Sequence, residues 1–184
     1  MDHFYEDVYG FSQSDLFALY RKMVEKFDSG SHFVEVGAFL GKSAVYMAVE
    51  IINSGKNIKL DCVDHWQGSE EHNNNDEVNL ERLYEDFLEN IKPVKDIINP
   101  IRANSIDASK LYKPNSIDFI FIDASHDTES VKADLAYWMP RVKEDGVIAG
   151  DDINNEGVAN AVKWFFDNEK LEIVVRQWMV DLGQ

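Results

Sequence analysis

A glycine-containing segment near the start of the chain has the residue types of a ligand-binding turn. Residues 35–43 read EVGAFLGKS and join a β-prone segment to a helical pattern. The two glycines let the backbone approach a ligand closely, and the start of the helix offers free N–H groups. The turn is one residue too short for a phosphate-binding P-loop and lacks a dinucleotide fingerprint. It suits a ligand with an ammonium and a carboxylate, with Glu35 facing the cation; the alternative is a structural turn in which Glu35 pairs with Lys42 or Arg102.

The next β-prone segment ends in an aspartate, Asp64, about 27 residues after Gly37. In nucleotide-binding α/β folds a carboxylate at this place holds the two hydroxyls of a ribose. Asp64 could instead cap the turn that follows it. Its position after the glycine turn favours the ribose-binding interpretation.

Three further aspartates follow two later apolar segments. Asp123 ends the run IDFIFID, and Asp151 and Asp152 follow the segment 146–150. If these segments are neighbouring strands, the acids meet at one edge of a sheet, where a divalent cation or protonation offsets their repulsion. Oxygen ligands favour Mg²⁺ over zinc, and His126 stands close enough to take a proton from a hydroxyl at that site. The alternative is that Asp151 and Asp152 are solvated loop residues of an acidic protein.

The spacing of apolar residues predicts the elements that position these groups. β-prone segments alternate at least five times with segments of helical periodicity, as in a single doubly wound, Rossmann-like α/β domain with a mostly parallel sheet of six or seven strands. Residues 1–30 are expected to form a helical segment packed on a domain formed by 31–184. The strands are predicted at 32–38, 58–64, 97–103, 117–123, 146–150 and within 171–180. Ligands of such sheets bind beyond the carboxyl ends of the strands, where the candidate residues stand.

Composition excludes several classes of function. The 184 residues carry a formal charge of -16, from 34 acids against 18 bases, which repels a nucleic-acid backbone. The single cysteine, Cys62, excludes an intrachain disulfide framework and a cysteine-based zinc site. The first residues lack a signal pattern and no apolar run approaches 18 residues, so we expect a cytoplasmic protein without a membrane partner.

Taken together, these motifs resemble a known family. The segment 34–47 (VEVGAFLGKSAVYM), Asp64, Ser105, the step from Asp123 to His126 and the acidic pair at 151–152 resemble the class I S-adenosylmethionine-dependent methyltransferases. Within that class they are most similar to the metal-dependent O-methyltransferases of the catechol and macrolide-sugar types. Residues 63–68 (VDHWQG) resemble a Val-Asp-Thr-Trp-x-Gly signature of the sugar enzymes.

The resemblance implies which residues bind S-adenosylmethionine. They are Glu35, Gly37 and Ser43 around the methionine part with Gly41 permitting the turn, Asp64 at the ribose, and Ser105 with Ala124 or Ser125 at the adenine. It also implies a divalent metal, Mg²⁺, held by Asp123, Asp151 and Asp152. His126 takes the position of the general base, which is histidine in the macrolide-sugar enzymes.

The implied activity is methyl transfer to a hydroxyl of a small molecule, a sugar or a vicinal diol. Two alternatives stay open: a nucleotide-dependent phosphotransferase that uses the glycine turn, and a non-catalytic module that keeps the cofactor pocket. The family often forms dimers or larger assemblies, so the resemblance is compatible with a homo-oligomer, and the sequence itself does not give the oligomeric state. The polar stretch 67–79 is either a lid over the substrate or an acidic surface loop.

Overall fold

Seven strands form one sheet in the order β3-β2-β1-β4-β5-β7-β6 within the part of the chain that the structure describes. The structure is a computed structural model, and it describes residues 1–11, 14–68, 78–166, 171–174 and 176–183. The strands are β1 His32–Val36, β2 Lys59–Asp64, β3 Ile98–Arg102, β4 Ile117–Ile122, β5 Val142–Gly150, β6 Leu171–Val174 and β7 Gln177–Asp181. Strands β1 to β5 pair in parallel, whereas β7 pairs antiparallel with both β5 and β6. The predicted mostly parallel, doubly wound sheet is therefore confirmed.

In the described part of the chain, six α-helices cover the two faces of the sheet. They are α1 Ser14–Lys26, α2 Lys42–Ser54, α3 Leu83–Asn90, α4 Ser105–Ser109, α5 Thr128–Trp138 and α6 Glu156–Phe165. Helix α2 ends at Gly55, which adopts a left-handed conformation that costs glycine little. None of the helices among the described residues is long and apolar enough to cross a membrane.

Alternation along the central strands assigns each side chain to one of two core layers. In β1, Phe33 belongs to the layer under α1, α2 and α3, and Val34 to the layer under α4, α5 and α6. Strand β4 is buried at every position, as expected for a parallel strand covered on both faces. Since Glu35 has the same parity as Phe33, its carboxylate points into the first layer, where Tyr20 of α1 is buried.

The strand order reverses between β1 and β4, the two neighbours at the centre of the sheet. Helices that follow β1 and β4 consequently leave on opposite faces, and a crevice opens between them at the carboxyl edge. The candidate residues of the sequence stand at this edge.

Candidate active site

The neighbouring strand β4 constrains the conformation of the turn after β1. Gly37 has φ +94°, and a Cβ atom built on it would lie 1.9 Å from the carbonyl oxygen of Asp123. Only glycine allows the ends of β1 and β4 to come so close. Gly41, at φ +89°, is the N-cap of α2 and provides no side chain to cap the helix. The first N–H groups of α2 therefore face the crevice without a capping side chain.

Glu35 lies beneath this turn rather than in the crevice. Its side chain is 1% exposed, and its Oε1 accepts hydrogen bonds from Tyr20 Oη at 3.3 Å and Ser43 Oγ at 2.5 Å. Burial raises the pKa of the Glu35 carboxyl to about 7. The structural alternative that paired Glu35 with Lys42 or Arg102 is wrong, because its described partners are hydroxyls and the thiol of Cys62.

Asp64 joins two turns at the end of β2. Its Oδ2 accepts a hydrogen bond from the backbone N–H of Phe39 at 2.9 Å, and its Oδ1 accepts one from that of Trp66 at 2.7 Å. The carboxylate thus caps the turn that follows it and also lines the crevice. Each oxygen keeps a further lone pair for a ligand hydroxyl, so the two interpretations of Asp64 are compatible.

The indole of Trp66 forms part of the crevice wall. Its Nε1 donates to the carbonyl oxygen of Phe39 at 2.7 Å, and its ring packs against Tyr84 and Phe87. At 2% exposure it is also a core residue. The wall on this side is consequently rigid.

Ser105, at the start of α4, belongs to a buried hydrogen-bond network. Its Oγ donates to Asp134 Oδ1 at 2.5 Å and accepts from Trp138 Nε1 at 2.8 Å, so the hydroxyl has a fixed orientation. Burial raises the pKa of Asp134 to about 6. The sequence analysis missed Asp134, because an aspartate within an amphipathic helix is ordinarily solvent-facing.

Three side chains at the ends of β4 and β5 form what we call the acidic cluster: Asp123, His126 and Asp152. Each offers one ligand atom, and these atoms lie within 4.8 Å of one another. His126 Nε2 is 2.9 Å from Asp152 Oδ2 and 3.9 Å from Asp123 Oδ1. The two carboxylates are donors that fit Mg²⁺ or Mn²⁺, whereas the imidazole suits transition metals better than Mg²⁺.

Asp151 stands beside the acidic cluster instead of within it. Its Oδ1 accepts hydrogen bonds from Gln177 Nε2 at 3.0 Å and from the backbone N–H of Asp152 at 2.7 Å. Burial, followed by the charge of Asp123, raises the pKa of Asp151 to about 6. The predicted metal set of Asp123, Asp151 and Asp152 therefore differs from the set that the structure brings together.

The sequence analysis also missed Arg176, which lies just before β7. Its Nη2 forms an ion pair with Asp152 Oδ1, and its Nε lies 3.7 Å from Asp151 Oδ1. The hydrogen bond from His126, with further support from Arg176, lowers the pKa of Asp152. Because β7 is antiparallel, its first residues lie at the edge where the parallel strands end.

A cavity of about 620 Å³ connects these groups. Its lining includes the predicted residues Gly37, Gly41, Ser43, Asp64, Ser105, Asp123, Ala124, His126, Asp151 and Asp152, whereas Glu35 lies beneath it. Its volume is that of a site for a cofactor or small substrate. Gly10 and Phe11 of the N-terminal segment also line the cavity. Residues 69–77, the centre of the polar stretch interpreted as either a lid or a surface loop, lie outside the described residues.

The strand order and the crevice at the β1–β4 switch point define the fold of class I S-adenosylmethionine-dependent methyltransferases. A family model described as a methyltransferase domain matches residues 34–153. The chain belongs to this methyltransferase family. No curated protein matches the chain by sequence.

Solved structures share the fold at low sequence identity. The O-methyltransferase NovP has a TM-score of 0.68 and 16% identity, with 91% of this chain and 79% of that chain covered. The calicheamicin methyltransferase CalS11 has a TM-score of 0.65 and 16% identity, with coverages of 92% and 78%. An O-methyltransferase from Bacillus cereus in complex with SAH has a TM-score of 0.63 and 16% identity, with coverages of 96% and 85%.

Proposed function

We propose that the protein transfers the methyl group of S-adenosylmethionine to a hydroxyl of a small molecule, a sugar or a vicinal diol, with the assistance of a divalent cation. One observation carries this proposal. The same cavity is lined by the glycine turn and Asp64 on one side and by the acidic cluster on the other. A cofactor on the first side would place its reactive group against an acceptor on the second.

The cofactor would lie along the ends of β1 and β2. The uncapped start of α2 suits its carboxylate, Asp64 suits the two hydroxyls of its ribose, and Ser105 lies where the crevice continues past β2. S-adenosylmethionine supplies a methyl group that is already electrophilic. The task of these residues is therefore to hold the cofactor in line with the acceptor oxygen.

The acceptor would lie against the acidic cluster. Asp123 and Asp152 would hold the cation, which when bound lowers the pKa of the acceptor hydroxyl. His126 would take the hydroxyl proton on Nε2, once a cation held by Asp152 has replaced the hydrogen bond that this nitrogen donates to that carboxylate. The neighbouring Asp151 adds negative charge to this side of the cavity and supports cation binding.

The relatives support the choice of acceptor atom. NovP and the Bacillus cereus protein are described as O-methyltransferases, and CalS11 as a calicheamicin methyltransferase. A cation with open coordination positions can hold two neighbouring oxygens at once. A sugar or vicinal diol offers such a pair.

The test begins with calorimetric titration of S-adenosylhomocysteine into the purified protein, with and without Mg²⁺. We expect micromolar binding in both conditions, followed by metal-stimulated methylation of a member of a sugar and diol panel. ATP serves as the control ligand, because the phosphotransferase alternative requires it to bind. A folded sample that binds ATP and not S-adenosylhomocysteine would contradict the proposal.

A further inference from the structure

Arg176 is the one arginine that the described structure places against the acidic cluster. Its guanidinium lines the cavity and is about one-third exposed, so it lies at the site without being part of the core. It forms an ion pair with Asp152 and lies 3.7 Å from Asp151. In a chain with a formal charge of -16, a cation at this place offsets an unusual local density of acids.

Both carboxylate oxygens of Asp152 are engaged in this arrangement. Oδ1 contacts Arg176, and Oδ2 lies 2.9 Å from His126 Nε2. A divalent cation that uses Asp152 must take the place of one of these contacts or share the carboxylate with it. In either case the positive charge of Arg176 opposes the positive charge of the cation.

The position of Asp152 itself does not depend on the guanidinium. Its backbone N–H donates to Asp151 Oδ1 at 2.7 Å, and its carbonyl oxygen accepts from the N–H of Asn155 at 2.8 Å. The chain at Arg176 is fastened by its own carbonyl oxygen, which accepts from the N–H of Ile153 at 2.9 Å. A change of the Arg176 side chain therefore alters the charge at the cluster and leaves these tethers in place.

We propose that Arg176 competes with the divalent cation for Asp152 and thereby weakens metal binding at the acidic cluster. This inference rests on the metal-assisted function proposed above and assigns to Arg176 the control of metal affinity. The carboxylates of Asp123 and Asp152 without this neighbour would hold a divalent cation more tightly. With Arg176 in place, the cation exchanges with the solution instead of staying as a permanent structural ion.

The test compares the Mn²⁺ affinity of the unaltered protein with that of three variants. Mn²⁺ is titrated into each sample, and the free ion is counted by its electron paramagnetic resonance signal. We expect Arg176→Gln to bind Mn²⁺ about tenfold more tightly, since it removes one positive charge a few ångströms from the site. Arg176→Lys keeps the charge and should stay within about threefold of the unaltered protein. Arg82→Gln removes the same charge from an exposed arginine that pairs with Asp86, and should leave the affinity unchanged.

Three results would overturn the inference: weaker or unchanged Mn²⁺ binding by Arg176→Gln, equal tightening in Arg176→Lys, or no Mn²⁺ binding by any sample. Thermal unfolding of each variant confirms that it is folded. Titration of S-adenosylhomocysteine into the same samples distinguishes failure of the inference about Arg176 from failure of the proposed function. Retained cofactor binding with an unchanged Mn²⁺ affinity removes only the role of Arg176, whereas loss of both ligands from the unaltered protein removes the methyltransferase proposal.

Discussion

The acidic side chains at the two halves of the sheet edge have different kinds of partners. At the ends of β1 and β2, Glu35 accepts hydrogen bonds from two hydroxyls, and Asp64 accepts from two backbone N–H groups. At the ends of β4 and β5, Asp152 is met by His126 and by the guanidinium of Arg176. Neutral partners of the first kind belong to the fold, whereas the guanidinium of Arg176 is a charged partner that another cation can replace.

This difference indicates how the two halves contribute to function. The hydrogen bonds of the first half fix a turn and two strand ends, so they shape the cofactor side before any ligand arrives. The second half concentrates charge that a ligand can use. Changes in the first half should therefore alter stability or cofactor affinity, and changes in the second should alter metal affinity and turnover.

The largest effect is expected from Asp123→Asn, which keeps the shape of the side chain and removes its charge. Metal-stimulated turnover should fall about thousandfold, the loss of several kcal/mol of stabilisation by the cation. The affinity for S-adenosylhomocysteine should stay within about threefold. Asp145→Asn, at an exposed position of β5, is the matched control. Unchanged turnover in Asp123→Asn would contradict the assignment of metal-assisted turnover to the second half of the sheet edge.

Gly37→Ala should destabilise the fold by about 3 kcal/mol or more, because the new methyl group meets the carbonyl of Asp123 in the adjacent strand. Gly55→Ala is the control: it has φ +69° and nothing within 4 Å of the added atom. It should cost about 1–2 kcal/mol, from backbone conformation alone. Chemical denaturation measures both values, and equal costs would show that the close approach of β1 and β4 is not essential.

The buried carboxyl of Glu35 predicts a pH dependence of stability. Its pKa is raised from 4.5 to about 7 on folding, so between these values the folded state binds more protons than the unfolded state. The free energy of unfolding should therefore fall as pH rises through this window, by up to about 3 kcal/mol. In Glu35→Gln this contribution disappears, while the amide oxygen can still accept from Tyr20 and Ser43.

Urea denaturation at pH 5 and pH 7.5 measures this effect. Glu129→Gln, at a largely exposed position, is the control. Its free energy of unfolding should change with pH as that of the unaltered protein does. If the free energy of unfolding changes with pH in Glu35→Gln as much as in the control, the carboxylate of Glu35 lies in solvent-like surroundings. That result would contradict the buried geometry.

The smallest of the four effects is expected from His126→Gln, which separates a proton acceptor from a metal ligand. In its proposed role as a proton acceptor, His126 should contribute about hundredfold to turnover, and its loss should leave Mn²⁺ affinity within about threefold. Joint loss of turnover and Mn²⁺ binding would instead assign His126 to the metal. Turnover against pH and Mn²⁺ titration of the same preparation measure both quantities.

Much of the fold could be predicted from the sequence, because the parallel strands are short apolar runs with clear boundaries. The helix stop at Gly55 and the buried run of β4 follow from local residue types. The antiparallel end of the sheet could not be predicted in the same way. The apolar pattern of 171–180 marks β-structure, and nothing in it states that β7 inserts between β5 and β6.

The candidate site was predicted where its residues follow strand ends, and missed where a contact depends on distant pairing. Arg176 reaches Asp152 only because β7 pairs antiparallel with β5. Asp134 reaches Ser105 only through the packing of α4 on α5. The burial of Glu35 has two causes: its position on one face of β1, and Tyr20 of α1, which covers that face. The local sequence gives the first cause, whereas the second depends on the packing of α1.

The hairpin of β6 and β7 has a consequence for how such a site can diversify. Arg176 reaches the acids from the turn that precedes β7, and Gln177 reaches them from the first position of β7. The length of that turn can change without shifting the register of the five parallel strands. Insertions or exchanges in that turn would alter the charge beside Asp151 and Asp152 while the cofactor side stays constant. For protein engineering, this turn can be exchanged among related chains while the parallel strands stay unchanged. Such exchanges offer a direct way to change the charge at the site.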